Sequence, residues 1–167
     1  FPMGANFRQT YLAEPIFARS TYANRFAAFE ETHFDSAALF DFSHFESGGF
    51  FQRAYFASDA NFLKVYFGFA AAFDEATFVE EADFAEAHFN GSARFQNAQF
   101  VGDAFFKGAR FEDIANFSDG CFKAQTVFDG AAFKGAVPKF FHREIHQDTG
   151  FTDDPKLWPE VTAGNAQ

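Results

Sequence analysis

Residues 71–100 read AAFDEATFVEEADFAEAHFNGSARFQNAQF, in which Phe73, Phe78, Phe84, Phe89, Phe95 and Phe100 are separated by five, six, five, six and five residues. Outward from this stretch the same alternation runs back through Phe67, Phe62, Phe56, Phe51, Phe45, Phe40 and Phe34 to Phe29. Forward it runs through Phe106, Phe111, Phe117, Phe122 and Phe128 to Phe133. These twenty centres define an eleven-residue repeat without a substitution. Two positions before each centre stands a compact residue: fourteen are alanine, and the others are Thr32, Ser43, Gly49, Val65, Gly120 and Thr126.

In an extended segment side chains alternate, so the compact residue and the Phe share one side and the residue between them takes the other. Phe and Ala are therefore expected inside and the middle residue outside, in an all-β solenoid whose units bury their apolar side by stacking on neighbours. An eleven-residue apolar repeat also describes a right-handed helical supercoil. On a helix, however, the Phe positions would fall on two rows about 140° apart and leave no single seam. Glycines argue the same way, because Gly91, Gly102, Gly108, Gly130 and Gly135 follow centres by two residues, where a turn would use a positive φ and a helix interior would lose about 1 kcal/mol each.

These residues resemble the pentapeptide-repeat proteins. The resemblance implies a right-handed quadrilateral β-helix around a Phe or Leu ladder, with residues 27–135 as regular repeats. With four sides, the alternating spacing gives about 22 residues per coil, and positions one coil apart should stack about 4.8 Å apart. The pattern is expected to begin at Ala5, where Phe7, Leu12, Phe17 and Tyr22 follow a plain five-residue spacing. A phase break at 23–26, read as a bulged corner, would then join residues 1–26 to the regular coils. Pro138 ends the repeat, so 136–151 reads as a short non-repetitive C-terminal cap on a single domain spanning 1–151, and 152–167 as a tail. The segment 141–159 resembles the junction of larger bacterial members in which helices and membrane segments follow the rod. A chain beginning at Phe1 reads as a fragment or processed product.

The net charge is −10. Residues 27–91 hold twelve acidic and two basic side chains, while the rest of the chain holds eleven of each. Such a surface repels nucleic-acid phosphates, so no direct nucleic-acid binding is expected, and basic proteins are favoured. The family resemblance implies a sharper alternative. Its quinolone-resistance members are acidic rods that imitate duplex DNA in the saddle of gyrase, commonly as end-to-end homodimers.

Enzyme chemistry finds no support in sequence motifs. A phosphate loop, a nucleophile elbow, paired metal cysteines and His-Glu-x-x-His are all missing from the sequence, so no catalytic residue, cofactor or metal site is expected. His44, Tyr66, His88 and Arg110 fall in one outward column and read as a surface ladder. His142 and His146, with Asp148 nearby, form a minimal metal pattern outweighed by a capping role. Cys121 is an outward free thiol, with no base predicted to activate it. No run approaches the 18 apolar residues needed to span a bilayer, so this segment is not expected to insert in a membrane, and a bacterial cytoplasmic location is expected. The expected function is a rigid rod for protein interaction, with Phe50, Tyr55, Tyr66, Phe69, Glu75, Glu80, Glu81 and Asp83 as the candidate partner surface and the partner unidentified.

Overall fold

A computed structural model describes residues 5–23, 25–135 and 144–145. The chain winds around four parallel sheets, one on each side of a rod. The first face stacks Ala5–Asn6, Ala27–Ala28, Gly49–Phe50, Ala71–Ala72, Ala93–Arg94 and Ala115–Asn116. The second begins with Tyr11–Leu12 and His33–Phe34, the third with Ile16–Phe17 and Ala38–Leu39, and the fourth with Tyr22–Ala23 and His44–Phe45. Each strand pairs with the one a full coil away, roughly 22 residues per coil, as in Tyr55↔Thr77 and Asn61↔Asp83. That register holds throughout residues 5–133. The chain is thus a four-sided β-solenoid of about six coils.

All twenty Phe centres are buried, together with the alanines two positions before them. From Phe51 to Phe111 each centre stacks on the rings one coil below and above: Phe84 lies 4.9 Å from Phe62 and 5.0 Å from Phe106, with ring planes within 2°. Across the interior it meets Phe73 and Phe95 edge to face at 5.2 and 5.4 Å. Parallel stacks along the axis interlock through perpendicular contacts between stacks, the two arrangements that the ring quadrupole favours.

The alternation of five and six residues is a statement about corners. Where the spacing is five, the centre's carbonyl accepts from the N–H three residues on, as in Ala54 N to Phe51 O at 3.0 Å. The residue two after the centre then has a φ between 52° and 59°, from Gln9, Ser20 and Glu31 to Asn97 and Asp119. That is the type II turn. Where the spacing is six, the extra residue turns the chain instead. Gly108 and Gly130 occupy five-residue corners and have φ of 67°. Gly91, Gly102 and Gly135 occupy six-residue corners and do not need positive φ, contrary to the sequence reading. At Gly102 the requirement is close approach: a Cβ would stand 2.3 Å from the Glu80 carbonyl oxygen of the coil below.

The phase break expected at 23–26 is absent. Ala23 pairs with Phe45, and Phe17 pairs with Leu39, so the centres of the first coil are Phe7, Leu12, Ala18 and Ala23. The alternating spacing therefore holds from residue 5, and the left-handed residues Gln9, Ser20, Glu31 and Phe42 keep their eleven-residue step across the supposed break. At the other end Glu144 pairs with Cys121 and Ile145 with Phe122, a step one position longer than the regular one. The rest of the cap at 136–151, the tail, and His142, His146 and Asp148 lie outside the described residues.

Candidate functional site

Outward side chains form vertical columns because each middle residue pairs with its counterpart on the next coil, as Tyr66 does with His44 and His88. On the second face Tyr11, His33 and Tyr55 stack at 4.9 and 4.7 Å. On the fourth face Tyr22, His44 and Tyr66 stack at 4.6 and 4.3 Å, and His88 meets Tyr66 edge on at 5.2 Å. These rings stand on the sheet and use their faces on one another. What they offer solvent is an edge carrying phenol oxygens and imidazole nitrogens, the enclosed Nε2 of His88 excepted. His44 Nε2 is 2.7 Å from Glu46 and His88 Nε2 is 3.3 Å from Glu112, so carboxylates one corner away already claim part of that edge.

The corner between the first and second faces carries ion pairs bridging coils. Arg8 Nη2 meets Glu30 at 2.6 Å, Arg53 meets Glu31, and Arg94 meets Asp74 at 2.5 Å. They line an open groove of about 840 Å³. Glu31 is held below the usual carboxylate range by the Gln9 amide first and then by Arg53. Glu112 is lowered chiefly by its hydrogen bond from Lys134. On the third–fourth corner Arg19 pairs with Asp41 and Lys64 with Glu86.

The corner between the second and third faces differs. Asp59, Glu81 and Asp103 stack on successive coils, with Glu80 and Asp83 beside them, and none forms an ion pair among the described residues. Glu81 is raised above its ordinary range, first by burial and then by Asp83, Asp59 and Asp103. Asp83 is raised by burial, against which the Ala85 N–H at 2.8 Å acts. That last bond recurs: Asn61 accepts from Leu63 N and Asn116 from Ser118 N. A middle-position Asn or Asp thus starts the turn that follows its own strand.

The candidate surface residues do not converge. Phe50 lies on the first face, Tyr55 on the second, Asp83 on the third and Tyr66 on the fourth. Glu75 sits at the first–second corner, Glu80 and Glu81 at the second–third, and Phe69, 66% exposed, at the fourth–first. Sequence reading misses the exposed rings of Tyr11 and Tyr22, since taking Tyr22 for a centre places it inside. Cys121 is a partly exposed free thiol on the second face. Among the described residues no group of three His, Cys, Asp or Glu side chains is placed to hold a metal, and no helix is long and apolar enough to cross a membrane.

A four-sided parallel solenoid filled by a Phe ladder and dressed with short corners defines a class of repeat protein built from five-residue sides. The family model for pentapeptide repeats, nine copies, matches residues 73–120, and the Phe ladder of the structure is consistent with that match. Residues 5–72 and 121–133 continue the same strand register on either side of that match. Searches of curated proteins and of solved structures return no match.

Proposed function

We propose that the protein is a non-catalytic interaction module, a rigid rod that presents fixed side chains to a protein partner. The carrying observation is the pair of outward aromatic columns, whose rings are held by strand pairing and in part exposed: Tyr11 by 61%, Tyr22 by 53% and Tyr55 by 39%. Exposed aromatic rings on a rigid support suit recognition more than solubility. The groove at the first–second corner is open, and all of its charged side chains except Glu75 are in ion pairs within the chain, a poor setting for chemistry that requires water to be excluded. A pull-down from a bacterial lysate should recover one partner with the wild-type rod and lose it with Tyr55→Ser and Tyr66→Ser. Recovery of the same partner by both forms would refute the assignment.

Imitation of DNA is the second reading, favoured by the unpaired acidic run Asp59, Glu80, Glu81, Asp83 and Asp103. Weighing against it, Glu30, Glu31, Asp41, Asp74 and Glu86 are each paired with a cation, which interrupts any continuous negative band. Gyrase supercoiling that is indifferent to excess protein at low salt would end this second reading.

A further inference from the structure

Asn90 is the only asparagine of the sequence that is followed by a glycine. The pair opens the six-residue corner between the fourth and first faces on the fourth coil, where Asn90 is exposed and Gly91 and Ser92 are partly exposed. Asn90 is held to the coil below at two points: its N–H donates to Phe67 O at 2.9 Å and its Nδ2 donates to Gly68 O at 3.1 Å. Neither the Gly91 N–H nor the Ser92 N–H donates to another described residue. No turn hydrogen bond closes this corner, unlike the one two coils below, where Gly48 N donates to Phe45 O at 3.1 Å. The Asn90 amide carbon therefore neighbours, along the chain, a main-chain nitrogen with no Cβ to shield it and no acceptor to occupy it.

We propose that Asn90 is a site of spontaneous modification, at which the folded rod loses ammonia and lengthens its own backbone. The Gly91 nitrogen gives its proton to solvent base and attacks Asn90 Cγ. A bond forms between them, the Cγ–Nδ2 bond breaks, and Nδ2 leaves as ammonia with a proton from water. Water then opens the five-membered cyclic imide. Breaking the new N–Cγ bond leaves aspartate; breaking the original peptide bond leaves isoaspartate, whose main chain runs through Cβ and Cγ. The bond to Gly68 O is the brake, since Nδ2 must release it before Cγ can turn towards the Gly91 nitrogen, and an exposed neutral hydrogen bond contributes little net. Other asparagines are better guarded. Asn61 precedes Phe62, whose N–H donates to Asp83 O at 2.7 Å, and Asn97 precedes Ala98, whose N–H donates to Phe95 O at 3.1 Å. Both products disturb the corner. A carboxylate at position 90 cannot donate to Gly68 O, and it stands one coil below Glu112, which already holds Lys134 and His88. Isoaspartate also adds a main-chain carbon where the chain has no slack inward: a Cβ on Gly91 would lie 2.8 Å from the Phe69 carbonyl carbon. The added length must bulge outward. This chemistry needs no partner and none of the aromatic columns, so it stands apart from the function proposed above.

Peptide mass mapping of the full chain, aged folded at mildly alkaline pH beside a sample aged in urea, tests the proposal. The folded chain's peptide containing Asn90 should gain the mass of an NH2-to-OH exchange at least tenfold faster than those containing Asn61 and Asn97. Isoaspartate, detected by enzymatic methylation, should exceed aspartate, and the rate should fall at mildly acidic pH. Aged wild type should melt below fresh wild type. Asn90→Gln, whose longer side chain closes an imide far more slowly, should age without either change. Conversion at Asn90 no faster than at the other asparagines, or in urea alone, overturns the proposal. Aspartate as the sole product does so too, because it would mean direct hydrolysis, and so does an unchanged melt after full conversion.

Discussion

The first coil and the middle coils follow one path with different fillings. In the middle, Phe73, Phe78, Phe84 and Phe89 fill the four sides; in the first coil the same positions hold Phe7, Leu12, Ala18 and Ala23. Backbone pairing is unaffected: Ala18 N donates to Leu39 O at 2.9 Å, much as Phe84 N donates to Phe105 O at 2.7 Å. The coil next to it therefore acts as a template that sets register, and the Phe ring supplies depth of burial. Where the first coil lacks bulk, polar ties replace some of it, with Thr32 Oγ1 donating to Phe7 O and Ser43 Oγ to Ala18 O.

The largest expected contrast is in the ladder itself. Phe84→Ala should cost roughly 3–5 kcal/mol in a denaturant melt, and Phe7→Ala, at a partly buried ring stacked, among the described residues, on Phe29 alone, less than half of that; equal losses would erase the distinction between end and middle. Next comes the left-handed corner. Glu75→Val forces a β-branched residue to a φ of 58° and should cost about 1–3 kcal/mol, with Gln9→Val at the rod's end costing less of the measured stability because that turn opens more readily. Filling the first coil should act in the opposite sense. Ala18→Phe extends the stack below Phe40 and should stabilise by about 1 kcal/mol, whereas a lower midpoint would mean that this end is already closed.

The smallest effect is electrostatic. Asp83 has a raised folded-state pKa, so its ionisation opposes folding: stability is greatest below the ordinary carboxylate range and falls as pH rises through the raised one. Asp83→Asn keeps the turn bond that Asn61 already makes and removes that fall. It should raise the stability at pH 7 by up to about 0.5 kcal/mol and leave it unchanged near pH 3, which paired melts at the two pH values would decide.

Most of this architecture can be read from the chain because one residue type marks the register twenty times. The first coil is misread for the same reason. Phe17 and Tyr22 are aromatic but stand one position before their centres, while the true centres Ala18 and Ala23 look like the small residues of the repeat. Counting back one coil from Phe40 and Phe45 finds them. Pairs such as Arg8 with Glu30 and Arg19 with Asp41 are one coil apart and legible in principle. Arg94 with Asp74 falls two positions short of a coil and runs diagonally, so no period predicts it. The scatter of the candidate surface over four faces is also recoverable from position within the coil, but hydrophobicity and charge draw attention to residue identity alone. Gly91, Gly102 and Gly135 are misassigned because a glycine needed for close approach and one needed for positive φ look the same in a sequence.

The strict recurrence of every column at each coil also governs how such a molecule can change size. Removing residues 49–70 would bring Gly48 to Ala71 with each stack intact, leaving a shorter rod of the same cross-section. Removing the residue between a compact residue and its Phe would instead set those two side chains on opposite sides of their strand. Length is therefore adjustable only in whole steps of about 4.8 Å, which makes the molecule a ruler graduated in turns of its own backbone.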